Sequence, residues 1–211
     1  MSEAEWAKLA TQIRACVACT ELAATRTNVV VGTAPPSGAA VLLVGEAPGA
    51  TEDASGLPFV GKAGALLDQL LGEVGLPRPS VAVVNVLKCR PPGNRQPAKA
   101  EVLNCRGWLT AQIAVADPQV ICALGGTAAR WFFGERAKIA DLRGRAHDVD
   151  GRRVVPTYHP SAAIRFGPAG MPRAALREDL AFVARLVDRS VAAVERPVAA
   201  VDRPAGVTPK S

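Results

Sequence analysis

The stretch Ala39-Ala-Val-Leu-Leu-Val-Gly-Glu-Ala-Pro-Gly49 decides the fold. Its first six residues are apolar without alternation, which predicts a strand buried on both faces, and Gly45 to Gly49 predict a loop at its end. Strands of this kind belong to parallel sheets covered by helices. Ser80 to Leu87 is a second β-rich run that ends at Asn85-Val-Leu-Lys-Cys89, and Pro118-Gln-Val-Ile-Cys-Ala-Leu-Gly125 is a third, followed by a Gly-Gly helix start. Residues 143 to 158 hold two short β-like runs around Asp150-Gly151, a hairpin signal. Helical spacing connects these runs. It covers Trp6, Leu9 and Ile13 in residues 3 to 14, and Leu66, Leu67, Leu70 and Leu71 in Ala63 to Val74. It recurs at Val102, Cys105, Leu109 and Ile113 after Pro97, and at Leu176, Leu180, Val183 and Leu186 in roughly Pro172 to Val191. The alternation predicts a layered α/β fold with a mainly parallel sheet.

At 211 residues the chain is long enough for one well-buried domain. Residues 1–194 are read as that domain, and the Pro/Ala/Val-rich residues 195–211 as a disordered tail. A net charge of +6, with 19 arginines and six lysines, favours a polyanionic partner, although an arginine excess suits a GC-rich genome equally well. The acidic start Met1-Ser-Glu-Ala-Glu-Trp6 has no apolar signal core, and no apolar run approaches the ~20 residues that span a bilayer. A soluble, cytoplasmic protein without membrane contact is expected.

Four of the five cysteines form two separated pairs, Cys16 with Cys19 and Cys89 with Cys105, and Cys122 sits in an apolar run as ordinary core. In a reducing cytosol such thiols read as metal-binding or catalytic rather than as disulfides. Soft sulfur ligands select zinc or iron clusters, and the spacing fits both.

Ligands of open α/β sheets bind beyond the carboxyl ends of the strands. Three polar clusters are expected there: Gly45-Glu46-Ala-Pro-Gly49, Asn85 with Lys88, and His159-Pro-Ser161. Glu46, on a backbone constrained by Gly45, Pro48 and Gly49, suits positioning a water, against the plain alternative of a solvated glutamate. Asn85 interrupts an apolar strand and offers a donor and an acceptor together, which matches the edge of a nucleobase; the alternative is an amide tying two loops. His159, held between Tyr158 and Pro160, suits a donor to a developing anion, whereas His147 is read as a solvated hairpin residue. Phe59, in a glycine-bracketed loop, suits a stacking platform as well as core packing.

Gly-Glu-Ala-Pro-Gly, the following Glu52-Asp53, Gly-Leu-Pro-Phe-Val-Gly-Lys-Ala-Gly, Asn-Val-Leu-Lys-Cys-Arg-Pro-Pro-Gly-Asn-Arg and Tyr-His-Pro-Ser occur in this order together with the four cysteines. Over roughly residues 10 to 190 the set resembles the family 4 uracil-DNA glycosylases of the uracil-DNA glycosylase superfamily. The resemblance implies a three-layer α/β/α fold around a mainly parallel four-stranded sheet. It implies a monomeric base excision repair enzyme that acts on uracil in single- or double-stranded DNA, flips the base out and hydrolyses its N-glycosidic bond, leaving an abasic site. It implies a structural [4Fe-4S] cluster on Cys16, Cys19, Cys89 and Cys105, with zinc as the alternative. Glu46 would orient water, His159 would stabilise the uracil anion at O2, and Asn94 matches a functional position. Gly45, Ala47 and Gly49 would wall the pocket, Phe59 would stack on uracil, Asn85 would bind N3 and O4, and Ser161 completes the substrate-binding set. Arg90 and Arg95 would contact phosphate or order the cluster loop. Ile164 would wedge into the gap left by the flipped base, and Arg165 would hold a phosphate.

Such a protein is expected on the nucleoid through its DNA, with the tail a candidate for recruiting a repair or replication partner. Two other readings stand beside the enzyme. A related binder captures uracil covalently through a histidine near the second motif, but residues 90–95 contain none. An iron–sulfur redox protein that binds DNA would not need the Glu46, Asn85 and His159 set.

Overall fold

In the computed structural model, residues 3–33 and 40–194 are described, with side chains through 187. The proposed tail at 195–211, like Ala39 of the deciding stretch, lies outside them. In chain order the elements are α1 (Glu3–Arg14), α2 (Thr20–Thr25), β1 (Val41–Gly45), α3 (Ala50–Ser55), α4 (Lys62–Glu73), β2 (Ala82–Asn85), α5 (Lys99–Ala116), β3 (Val120–Leu124), α6 (Gly126–Phe133), α7 (Ile139–Leu142), β4 (His147–Val149), β5 (Arg152–Thr157), α8 (Pro160–Arg165) and α9 (Met171–Val194).

The apolar runs form one sheet of order β2-β1-β3-β5-β4. The four strands β2, β1, β3 and β5 pair in parallel, and β4 adds an antiparallel edge through the Asp150-Gly151 hairpin. The sheet thus has five strands where the resemblance implied four, because the three-residue β4 continues it outward.

Every residue of β1 is buried, and alternate residues serve opposite layers. Leu42 and Val44 pack with Trp6, Ile13, Leu109 and Ile121 beneath α1, α5 and α6. Val41 and Leu43 pack with Leu67, Leu70, Val155, Leu176 and Leu180 beneath α4, α8 and α9. Burying each such side chain contributes about 1.5–3 kcal/mol, so the two apolar layers hold the sheet between helices. Cys122, in β3, is fully buried, as its apolar run predicts.

Parallel pairing sends the carboxyl ends of β1, β2, β3 and β5 to the same edge of the sheet. Gly45, Asn85, Gly125 and Thr157 therefore meet there, paired as Gly45 with Asn85 in register and Gly125 N–H to the Thr157 carbonyl at 2.8 Å. No helix among the described residues is long and apolar enough to cross a membrane.

Candidate active site

At this edge lies a cavity, where open α/β sheets take their ligands. Glu46, Ala47 and Gly49 line it from the β1 loop, Phe59 from the following loop, and Asn85 from the end of β2. Asn94 and Arg95 line it from the loop after Cys89, and His159 and Ser161 from the start of α8. Gly45, Arg90, Ile164 and Arg165 are not on the cavity wall. Ile164 and Arg165 lie exposed on α8, Ile164 at 45%.

Gly45 acts through space rather than contact with a ligand. A Cβ there would stand 2.6 Å from Cζ of Phe59 and would collide with Asn85 Oδ1. Only glycine lets these two side chains close over the strand end. Phe59 itself has a left-handed backbone, φ 53°, a conformation that a bulky residue adopts only when its surroundings enforce it. Gly64 of α4 provides the room, since any side chain there would strike the Phe59 carbonyl.

Glu52 fixes the rest of that loop. Its Oε1 accepts the backbone N–H groups of Val60 at 3.0 Å and Gly61 at 2.8 Å, and its Oε2 accepts that of Gly49 at 3.1 Å. One carboxylate thereby joins the loop carrying Glu46 to the loop carrying Phe59. Nothing in the motif that contains Glu52 assigns it this task from sequence alone. The Glu three residues after Gly49, at the start of a short helix, was the available signal.

Asn85 is 2% exposed and its Oδ1 has no hydrogen-bond partner. A buried unsatisfied acceptor costs about 1–3 kcal/mol, so the position favours a ligand that donates there. Lys88, fully buried, donates from Nζ to the Asn85 carbonyl and fixes the backbone behind the amide. Burial lowers the Lys88 pKa to about 8, against the opposing influence of Cys105 and Cys89.

Glu46, on the cavity wall, accepts a hydrogen bond at Oε2 from Thr127 Oγ1, near the start of α6. Thr127 was missed in the sequence, where it reads as an ordinary helix-start residue. Asn94, at φ 55°, has its Oδ1 bound by Arg90 Nε at 2.7 Å. Arg95 is engaged by Glu101, at 2.6 and 3.0 Å, and by Glu21, at 2.8 Å, so its guanidinium orders the loop between the cysteine segment and α5.

His159 is the N-cap of α8. Its Nδ1 accepts from Ser161 N at 3.1 Å and lies 2.8 Å from Ser161 Oγ. Its ring centroid is 5.6 Å from that of Phe59. Part of the residue opens to the cavity, but the ring is deeply wedged, and desolvation lowers its pKa to about 4 against the charge of Glu52. The strand before it is anchored by Asp179 of α9, which accepts from Thr157 Oγ1 at 2.6 Å and from Arg143 Nε at 3.0 Å. His147, expected to be solvated, is instead half-buried: its ring meets Phe133 edge-on, and Nε2 lies 2.8 Å from the Leu142 carbonyl.

A separate hollow, with about 360 Å³ of empty space, is lined by all four of Cys16, Cys19, Cys89 and Cys105. None of these cysteines is paired in a disulfide. Arg26 donates to Cys89 Sγ at 3.1 Å and to the Cys16 carbonyl at 2.8 Å, and Asn104 Nδ2 lies 3.6 Å from Cys19 Sγ. Among the described residues no three ligating side chains gather around one ion position. Four sulfurs lining one hollow, with the Arg26 guanidinium and the Asn104 amide turned toward two of them, are a soft donor set of the kind that holds a thiolate-bound metal centre. Asp53 links this region to the active pocket: its carboxylate accepts from Thr27 N at 3.0 Å and Asn28 N at 3.2 Å, one residue after the Glu52 that joins the two loops.

A layered, mainly parallel sheet with a pocket at its carboxyl edge and a distinct thiol centre defines a class, and the family model of the Uracil DNA glycosylase superfamily matches residues 31–181. The Type-4 uracil-DNA glycosylase of Thermotoga maritima is 46% identical over 156 residues, covering 73% of this chain and 80% of that protein. That of Archaeoglobus fulgidus is 41% identical over 161 residues, covering 72% and 80%. That of Saccharolobus solfataricus is 39% identical over 180 residues, covering 81% of each chain. The chain belongs to the uracil-DNA glycosylase superfamily and, within it, to the type-4 uracil-DNA glycosylases.

Proposed function

We propose that this chain removes uracil from DNA by hydrolysing its N-glycosidic bond, with Asn85 reading the base, His159 stabilising the leaving anion and Glu46 orienting the water. The observation that carries the reading is the orphaned Asn85 Oδ1 on the wall of the same cavity as His159. A base inside a duplex is inaccessible, so the nucleotide is flipped into the cavity and its edge is read there.

Asn85 Oδ1 accepts from uracil N3–H and Nδ2 donates to O4, a pattern that matches uracil and not cytosine. Phe59 stacks on the ring, and the backbone of Ala47 to Gly49 forms the opposite wall. As the bond breaks, negative charge grows on the departing base. Because Nδ1 of His159 accepts from Ser161, the neutral ring carries its proton on Nε2, and that N–H donates to O2. Preorganised donors of this kind typically contribute ~10²-fold or more in rate. Glu46, held by Thr127, keeps one oxygen for the attacking water and sets negative charge beside the cationic sugar. Asn94, held by Arg90, completes the wall next to Glu46. Ile164 wedges into the gap left by the base, and Arg165 holds a phosphate.

Cys16, Cys19, Cys89 and Cys105 hold a [4Fe-4S] cluster. Its contribution is cross-linking, not bond cleavage: it ties the N-terminal segment to the Arg90–Arg95 loop and to α5. The test is single-turnover treatment of a uracil-containing oligonucleotide, followed by alkali. Scission at the uracil position is expected from properly clustered protein, and an intact strand would contradict the proposal.

A further inference from the structure

The active pocket shares a wall with a second concavity. Thr127, whose hydroxyl holds Glu46, and Gln96, the neighbour of Arg95, line a groove between α5 and α6 with about 1190 Å³ of empty space. Lys99, Leu103 and Arg106 stand at i, i+4 and i+7 along α5, on one exposed face. Arg130 and Trp131 of α6 face the same groove.

Three cations line this groove against one carboxylate, Glu135, which meets Lys99 only at 3.9 Å in an ion pair of two highly exposed side chains. Such pairs contribute about 0–1 kcal/mol, so a phosphate displaces this one at little cost. Arg106 lies over the Trp131 ring at 4.8 Å, and the Trp131 indole N–H is buried without a partner. Neither group is committed to a carboxylate in the way that Arg95 is. The seven helical steps from Lys99 to Arg106 span about 10 Å, which matches the axial length of about three nucleotides at ~3.4 Å each.

We propose that the α5–α6 groove binds the DNA phosphodiester backbone flanking the flipped nucleotide, with Lys99 and Arg106 as phosphate contacts on the Glu46 side of the pocket. This rests on the reading of the chain as a uracil-DNA glycosylase, but it concerns affinity for the strand and not bond cleavage.

The two are separated by measuring the binding of a uracil-free 15-nucleotide oligothymidine to the clustered protein across salt concentrations. Each phosphate contact contributes about 0.7 to the single-strand slope of log K against log[salt]. The Lys99→Gln/Arg106→Gln pair is expected to reduce the slope magnitude by about 1.4. On a uracil-containing 15-mer the same pair is expected to raise KM with kcat retained. Arg106→Lys, which keeps the charge, is expected to retain the slope. An unchanged slope in the double variant overturns the proposal, as does an equal fall in the Arg106→Lys variant, which would indicate damaged packing. A protein that binds oligothymidine with this slope but cleaves no uracil would contradict the proposed function alone.

Discussion

Nδ1 of His159 accepts the backbone N–H of Ser161 at 3.1 Å, so the ring proton resides on Nε2. Protonating Nδ1 would set two donors against each other and break this cap. The pKa of His159 is lowered to about 4 by burial, with Glu52 opposing. The ring therefore stays neutral through the working range, and charging it is expected to inactivate the enzyme. The single-turnover rate should show no His159-dependent fall near pH 6.5 and should decline as pH approaches about 4; a limb near 6.5 that disappears in His159→Gln would refute this. The linked stability has the same sign. Below about 6.5 the unfolded chain takes up a proton that the folded chain refuses, so this contribution is present above that pH and is lost as pH falls to about 4.

Thr127→Val keeps the shape of the side chain but removes the donor to Glu46. A hydrogen bond to a charged group contributes about 1.5–3 kcal/mol, so kcat is expected to fall roughly 10- to 100-fold while KM and the visible spectrum stay the same. Steady-state kinetics on a short uracil oligonucleotide check it, and an unaltered kcat would remove Thr127 from the account.

Glu52 accepts three backbone N–H groups from two loops. The amide in Glu52→Gln has a single acceptor oxygen, so it satisfies either Gly49 or the Val60 and Gly61 pair. A stability loss of about 1–3 kcal/mol is expected, together with a fall in kcat as the Glu46 and Phe59 loops separate. Thermal melts paired with kinetics measure both, and full retention of rate and melting temperature would show that the loops stand without this carboxylate.

Removing the cluster is expected to unfix the Arg90–Arg95 loop and to lower stability. By chain-entropy reasoning, a cross-link closing a loop of about 70 residues, as between Cys19 and Cys89, contributes about 4 kcal/mol. Iron and sulfide analysis of the purified protein should find both, and oxidation with chelation should bleach the visible absorbance and lower the melting temperature. Zinc without iron would contradict the assignment.

Much of this was legible in the sequence because parallel strands buried on both faces leave an unbroken apolar signature, and their polar ends converge by topology. Glu46, Asn85 and His159 each follow or interrupt such a run, Phe59 stands in a glycine-bracketed loop, and all four meet at one cavity. The residues that hold them were not legible. Thr127, Asp179 and Arg143 act across distances of 22 to 81 positions through side-chain hydrogen bonds that no local pattern encodes. Short helices such as α3 and α8, of six residues each, carry too few turns for a period to register. For Arg95 the sequence left phosphate contact and ordering of the cluster loop side by side, and only the fold reveals Glu21 and Glu101 around it.

The central claim is that base recognition and the cysteine centre are separate, with the cysteines supporting the pocket and Asn85 reading uracil. Asn85→Ala tests it most directly, through the single-turnover rate on a uracil oligonucleotide measured alongside the visible absorption of the same sample. The account predicts loss of most of the activity, at least ~10²-fold if both hydrogen bonds to the base are removed, with the absorption intact. Parallel loss of activity and absorption, or cleavage at the unaltered rate, would contradict it.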